Sequence, residues 1–198
     1  MGRRTRSLSL IRAKANQEMS LGELLTRSTI WITIVLYTVG SVLIAISSLS
    51  GQLRKRDSVA RIVWTMAGLA LIAHVACAFQ FYHNWSHESA YRETARQTKD
   101  VVGLNWGGGL FINYLFTIGW LIDLTWWWRS GVDSYRQRPW PLVAAWHAFL
   151  IFIIFNATVV FTESTVRWVG LGICLILCPA WFLVVSQWRT QSRITFAD

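Results

Sequence analysis

Five long apolar segments constrain the fold of this 198-residue chain more than any other feature. They cover residues 28–49, 62–83, 104–128, 140–161 and 168–187. A helix of about 20 residues crosses about 30 Å of hydrocarbon, and lipid requires every backbone polar group to be satisfied within its own segment. The connections are too short for a separate soluble domain. We therefore predict an all-α membrane protein, a compact bundle of five transmembrane helices with short loops, preceded by a basic tail at residues 1–27.

Composition indicates which partners the chain has. Hydrophobic residues make up 54% of it, and its formal net charge is +9. Because the basic residues lie between the apolar segments, we expect the lipid bilayer and its anionic headgroups to be their partners. The sequence carries no motif typical of nucleic-acid binding. It leaves the oligomeric state open.

The basic residues predict an orientation only if the start of the chain is reconsidered. Basic residues in short loops concentrate on the cytoplasmic side. Loops 50–61 and 129–139 and the C-terminal tail together carry nine Lys and Arg, against ten on the opposite side. Five of those ten precede Met19, which lies one short polar turn before the first span. If translation starts at Met19 rather than Met1, the count becomes nine against five.

We therefore expect residues 1–18 to be absent or disordered. Loops 50–61 and 129–139 and the C-terminus would then be cytoplasmic, in a bacterial plasma membrane. The alternative is that the basic tail belongs to the native protein and is itself cytoplasmic.

Five polar side chains inside the spans are candidates for function, because such groups are costly in lipid. Asp123 and His147 lie at similar depths on consecutive spans and could pair, either as a proton relay or as a structural contact. A further alternative is that Asp123 reaches the interface. His74 and Asn113 lie near the middle of the membrane and Asn156 somewhat nearer the opposite surface, and the three could form a layer of hydrogen bonds between helices. His74 and His147 are also the one wholly intramembrane pair that could ligate haem b.

Small and aromatic residues of the spans have simpler interpretations. Cys77, Cys174 and Cys178 are interpreted as packing residues, with a soft-metal site at the last two as the alternative. Glycines 107–109 predict a close approach of backbones. Many of the thirteen tryptophans lie near span ends, which is typical of interfacial anchors. Tryptophans 126–128 could instead line a groove for a quinone or a lipid headgroup.

His83 and His87, at the end of the second span, form a candidate metal site. Two histidines at positions i and i+4 of one helix can bind one divalent metal. Glu88, Glu93 or Glu163 could supply a third ligand, and Glu163, in a loop on the same side, is the one we favour. The alternative is an ordinary amphipathic helix end in the headgroup region.

The second span is predicted to continue as a helix beyond His83. No Pro or Gly occurs before Val102, and glutamates precede arginines at helical spacing, at 88 and 92 and at 93 and 96. The region 84–103 would then project from the membrane, as a surface for a protein partner or as a lid over the bundle.

No arrangement of nucleophile and base appears in the sequence. The first hypothesis is therefore a non-enzymatic integral membrane protein with a binding, assembly or partner-interaction role. The alternative is a metal or haem protein that uses His83, His87 and Glu163, or His74 and His147. Transport is a weaker third hypothesis, since no repeated halves or broken helix pair is visible.

Overall fold

The computed structural model describes the backbone of residues 2–50, 53–162 and 165–195, and the side chains of residues 21–48, 57–162 and 165–187. This part of the chain is helical throughout its regular structure and contains no strand, which confirms the predicted all-α class. The helices are α1 (Gly2–Ser50), α2 (Leu53–Ala78), α3 (His87–Val102), α4 (Gly109–Arg136), α5 (Trp140–Phe155) and α6 (Thr165–Thr195). A π-helical turn extends α2 over Phe79–His83, and another extends α5 over Asn156–Val160.

Five stretches of these helices are long and apolar enough to cross a membrane, as predicted. They are Leu21–Ser48, Asp57–His83, Gly109–Arg136, Trp140–Val160 and Thr165–Gln187. Each is similar to a predicted span, because the length of an apolar run is itself the signal. The choice between Met1 and Met19 as the first residue stays a prediction.

Aromatic side chains form the centre of the bundle. The Trp64 ring lies 5.1 Å from the Tyr37 ring and 5.3 Å from the Trp120 ring, measured between ring centroids. Gly68 allows this packing, because a Cβ there would lie 2.7 Å from Cδ1 of Leu124 and 3.2 Å from Nε1 of Trp120. The large rings of the core can therefore pack closely because Gly68 has no side chain.

Gly131 turns the chain near the end of α4. Its φ of 75° lies in the left-handed region that glycine adopts without steric cost. Beyond this turn, Tyr135 and Arg138 reach back to residues inside the bundle. The short segment after Gly131 therefore closes this end of the protein.

The predicted continuation of α2 beyond His83 is wrong. Asn84 and Trp85 both adopt positive φ, 46° and 58°, which ends the helix. Ser86 then caps α3, since its Oγ accepts a hydrogen bond from the Ser89 N–H (3.2 Å). Asparagine tolerates the left-handed conformation and serine is a preferred N-cap, so two ordinary residues interrupt the helix without Pro or Gly.

Helix α3 packs close to the start of α4. A Cβ on Gly107 would lie 2.5 Å from the carbonyl oxygen of Tyr91, and a Cβ on Gly109 would lie 3.1 Å from Cγ2 of Thr94. Gly107 therefore makes the predicted close approach to backbone, whereas a Cβ on Gly108 would meet the ring of Trp106. The region 84–103 therefore lies against the bundle, which fits the predicted alternative of a lid rather than a projecting helix.

Candidate functional site

Asp123 is the centre of a buried charge network at the end of the bundle near loop 129–139. Its Oδ1 accepts from Nη1 of Arg138 (2.5 Å), and its Oδ2 accepts from the Tyr135 hydroxyl (2.8 Å) and from Nε1 of Trp64 (3.0 Å). The Asp123 and Arg138 side chains are only 5% and 4% exposed. Both oxygens of the carboxylate are thus hydrogen-bonded, and the ion pair keeps two buried charges that would be costly if either stood alone.

His147 does not pair with Asp123, and the predicted contact is wrong. The imidazole stacks on Trp181, with 3.1 Å between ring centroids, and meets the edge of Trp64 at 5.7 Å. It is 1% exposed, and neither ring nitrogen bonds to any group in the described part of the chain. The two residues share Trp64 as a neighbour, but Arg138 and not His147 supplies the charge that pairs with Asp123.

A second ion pair lies at the same end of the bundle. Arg136 binds Asp57 through two hydrogen bonds, Nε to Oδ2 (2.6 Å) and Nη2 to Oδ1 (2.7 Å). Ser47 completes the group, since its hydroxyl donates to Oδ1 of Asp57 (2.8 Å). Sequence reasoning assigned Asp57, Arg136 and Arg138 to loops and missed both networks.

This end of the bundle has almost no free space. The cavity that its charged groups share with Trp127 and Trp181 measures about 10 Å³. That is about the space for a single water molecule. We therefore interpret the two networks as structural, and refer to this region as the closed end.

The opposite end of the bundle contains a cavity of about 1100 Å³. Its walls come from α1, α2, α4 and α5, and α3 lines it on one side. Apolar side chains such as Leu71, Phe116 and Ile153 line it together with His74 and Asn113. Polar residues of α3 and of its N-cap, including Ser86, Ser89 and Gln97, line it as well. We refer to this region as the cavity end.

Three of the predicted polar candidates lie at the cavity end, in different roles. His74 places Nδ1 2.9 Å from the carbonyl oxygen of Thr26, which joins α2 to α1. His83 has a buried Nδ1 that bonds to no described group. Asn113 lines the same cavity, whereas Asn156 donates to the Phe152 carbonyl of its own helix (2.8 Å). The predicted polar layer is therefore reduced to His74 and Asn113 around open space.

His74 and His83 line one cavity although an unbroken α-helix would place them on opposite faces. The π-helical turn at Phe79–His83 changes the winding between them. His87, beyond the turn, places Nδ1 3.0 Å from the hydroxyl of Tyr114, a residue that also lines the cavity. The spacing i, i+4 therefore does not describe the relation of His83 to His87.

The metal and haem hypotheses gain no geometric support from the described residues. These contain no group of three His, Cys, Asp or Glu that could hold a metal ion, and Glu163 lies outside them. His74 faces the cavity, whereas His147 is packed against Trp181, so the pair does not face one haem-sized space. Cys174 is buried and Cys178 is exposed, and both are free thiols.

Tryptophans 126–128 do not form one groove, because consecutive helical residues point about 100° apart. Trp127 is buried and stacks on Tyr135, with 4.2 Å between ring centroids. Trp126 and Trp128 are exposed, and Trp128 donates to Oγ1 of Thr65 (2.9 Å) beneath the guanidinium of Arg61. Trp127 is thus a core residue, whereas Trp126 and Trp128 remain candidates for interfacial anchors.

The arginines of α3 are paired within the helix, as their spacing predicts. Arg92 contacts Glu88 (Nη2 to Oε1, 2.7 Å), and Arg96 binds Glu93 through Nη2 to Oε1 (2.6 Å) and Nε to Oε2 (3.0 Å). The Arg96 guanidinium lowers the pKa of Glu93 through these hydrogen bonds. The cations that line the cavity are thus balanced by carboxylates.

Comparison of the chain with protein families, characterised proteins and solved structures finds no match. The functional conclusion therefore depends on the geometry of the cavity end.

Proposed function

We propose that this protein is a non-enzymatic membrane protein that binds a small amphiphilic molecule at the cavity end. The observation that carries the proposal is the cavity of about 1100 Å³ between the spans. Ligand sites in proteins have typical volumes of roughly 300–1,000 Å³ and combine apolar walls with a few polar groups. The walls and the residues of α3 have this combination, with Leu71, Phe116 and Ile153 as apolar surface and His74 and Asn113 as polar groups.

Helix α3 provides a cover that suits such a site. It is an amphipathic helix whose buried residues are Ala90, Ala95 and Thr98, all small, so few contacts hold it against the bundle. Residues with positive φ stand at both ends, at Asn84 and Trp85 and at Gly103. A cover of this kind can move to admit a ligand at smaller cost than a packed transmembrane helix.

The test is photolabelling of the protein in phosphatidylcholine nanodiscs with a long-chain alcohol that carries a diazirine. Labelling should saturate and be displaced by an excess of the unlabelled alcohol. Ala78→Phe, which fills part of the cavity, should reduce displaceable labelling severalfold, because the bulky ring occupies the ligand's space. Ala73→Phe is the matched control, since Ala73 lies on the same helix but is exposed and does not line the cavity. Equal, non-displaceable labelling of both variants and the unmodified protein would contradict the proposal.

We further propose that loops 50–61 and 129–139 and the C-terminus are cytoplasmic in a bacterial plasma membrane, so that the cavity end faces outward. The support is the excess of basic residues on that side when the chain is counted from Met19. Asp100→Cys, exposed on α3, should react with a membrane-impermeant thiol reagent in intact cells. Asp133→Cys, exposed at the closed end, should react only after the cells are broken. The reverse pattern would overturn the orientation and leave the cavity unaffected.

A further inference from the structure

We infer that the ligand is an uncharged amphiphile that donates a hydroxyl hydrogen bond to Nε2 of His74. This inference deepens the proposed function and rests on it. Two features of the cavity end carry it, namely the hydrogen bond that His74 makes to α1 and the pairing of the cavity's arginines.

The hydrogen bond to Thr26 defines which nitrogen of His74 carries the proton. Nδ1 lies 2.9 Å from the Thr26 carbonyl oxygen, and a carbonyl oxygen only accepts. Nδ1 is therefore the donor. In a neutral imidazole, Nε2 is then an acceptor with a free lone pair.

The surroundings of His74 favour the neutral ring. His74 precedes His83 by nine positions, which places it about 13 Å along the span from that end. An unpaired cation at this depth would be expensive, and no described carboxylate bonds to the imidazole. The hydrogen bond of His74 in the described part of the chain is the one from Nδ1, so Nε2 has no partner there, and His74 lines the cavity. The deep wall of the cavity therefore presents an acceptor that a ligand hydroxyl can satisfy.

The charges around the cavity exclude a preference for an ionic ligand. Arg92 and Arg96 both line it, and each is already held by a glutamate of α3. Because each guanidinium is paired with a carboxylate, the two pairs carry no net charge that would attract an anion or a cation. An ionic headgroup would therefore leave water without a free counter-charge to meet it, whereas a neutral hydroxyl loses less on leaving water.

The inference is tested by displacing the photolabel with four unlabelled compounds of equal chain length. These are dodecanol, its methyl ether, dodecyl phosphate and dodecyltrimethylammonium, with concentrations expressed per lipid to correct for partitioning. Dodecanol should displace the label at a concentration about fivefold to tenfold below that of its ether, the effect of one hydrogen bond. Both ions should displace less effectively than dodecanol.

A substitution at His74 tests whether the preference for the alcohol over the ether depends on Nε2. The amide nitrogen of His74→Asn can still donate to the Thr26 carbonyl, but its acceptor oxygen lies nearer the backbone than Nε2, so the advantage of alcohol over ether should shrink. In His74→Phe, which has no acceptor, alcohol and ether should become equal. His87→Asn is the matched control and should keep the preference, since His87 contacts Tyr114 and does not line the cavity.

A second pair of variants tests the role of charge without touching His74. Glu93→Gln frees Arg96 and should improve displacement by dodecyl phosphate severalfold. Glu23→Gln breaks the equivalent pair with Arg27 on α1, away from the cavity, and should change nothing.

The failures of the two proposals are distinguishable. Displacement by all four compounds with equal strength, or best displacement by the phosphate or the ammonium ion, would overturn the inference and leave a binding cavity. Absence of any displacement, with equal labelling of Ala78→Phe and Ala73→Phe, would overturn the proposed function itself.

Discussion

The closed end and the cavity end of the bundle use the same kinds of side chain in opposite ways. At the closed end, Asp123 and Arg138 are almost completely buried, and all the polar atoms of the carboxylate are hydrogen-bonded. At the cavity end, the Arg96–Glu93 pair is largely exposed, and His74 and His83 keep nitrogens that bond to no described group. Stacked rings fill one end, and about 1100 Å³ of space separates the helices at the other.

We therefore expect the closed end to contribute most to folding stability and the cavity end to bind the ligand. Breaking a buried ion pair leaves a charge without a partner and is costly, whereas exposed pairs contribute little. Polar groups without a hydrogen-bond partner and open volume lower the stability of a region, but a ligand can fill the volume and hydrogen-bond to the polar groups. Substitutions should therefore have large effects on folding at the closed end and small ones at the cavity end.

The largest effect is expected from Asp123→Leu. It leaves the buried Arg138 guanidinium without its carboxylate, which should lower the free energy of unfolding by about 3–5 kcal/mol. The measurement is unfolding in detergent by heat or by added SDS. Asp133→Leu is the matched control, because Asp133 is exposed near the same end.

The double variant Asp123→Leu with Arg138→Met sharpens this result. It removes both charges and should recover most of the lost stability, since a well-packed apolar pair can replace a buried ion pair. His147→Leu should show little coupling to Asp123→Leu. If His147→Leu restored stability instead of Arg138→Met, the observed network would be contradicted.

The next effect compares two alanines of α2. Ala67 is completely buried in the core, and Ala67→Phe should cost about 1–3 kcal/mol or more by overpacking. Ala78→Phe, at the cavity, should cost less than about 1 kcal/mol because the ring enters open space. Equal losses in the same unfolding assay would mean that the cavity is not available space.

Removal of the α3 cap should have a local effect. Ser86→Ala loses the hydrogen bond to the Ser89 N–H and should destabilise α3 by about 1 kcal/mol. Hydrogen exchange should then speed up in 87–102 and stay unchanged in the core helices. Ser134→Ala, exposed at the closed end, is the control, and equally fast exchange throughout the bundle would argue against an independently mobile cover.

The smallest effect is a pH dependence of α3. Arg96 lowers the pKa of Glu93 below its ordinary value of 4.5, so the pair stabilises the folded helix above that pH. The contribution should be lost as pH falls through the lowered pKa. Hydrogen exchange of α3, corrected for the intrinsic effect of pH, should therefore increase below about pH 4.5 in the unmodified protein and less in Glu93→Gln. The same acid response in both would assign the effect to another group.

The positions of the spans were predictable from the sequence because apolar length is a local property. The partner of Asp123 was not, because Arg138 reaches it only through the turn at Gly131. A count of loop charges treats Arg136 and Arg138 as headgroup partners, whereas both bind carboxylates within the protein. The glycine after Arg129 and Ser130 is the signal that could have indicated the turn.

The end of the helix after His83 could also have been predicted from the sequence. Asn84 and Ser86 are residues that end and begin helices, so a helix can stop here without Pro or Gly. The cavity lay beyond prediction, because it depends on how helices distant in sequence pack and on a π-helical turn that reorients His83. The i, i+4 spacing of His83 and His87 therefore predicted a metal site, whereas in the structure His83 lines the cavity.

The most direct test of a binding site at the cavity end is to identify the residues that the diazirine alcohol labels. Mass spectrometry of labelled protein should find displaceable modification in 71–83, 86–97 and 110–117, the segments that contribute most of the cavity wall. The same segments should lose their label in Ala78→Phe and keep it in Ala73→Phe. Modification spread evenly over lipid-exposed residues such as Leu69 and Phe182, without displacement, would contradict the account.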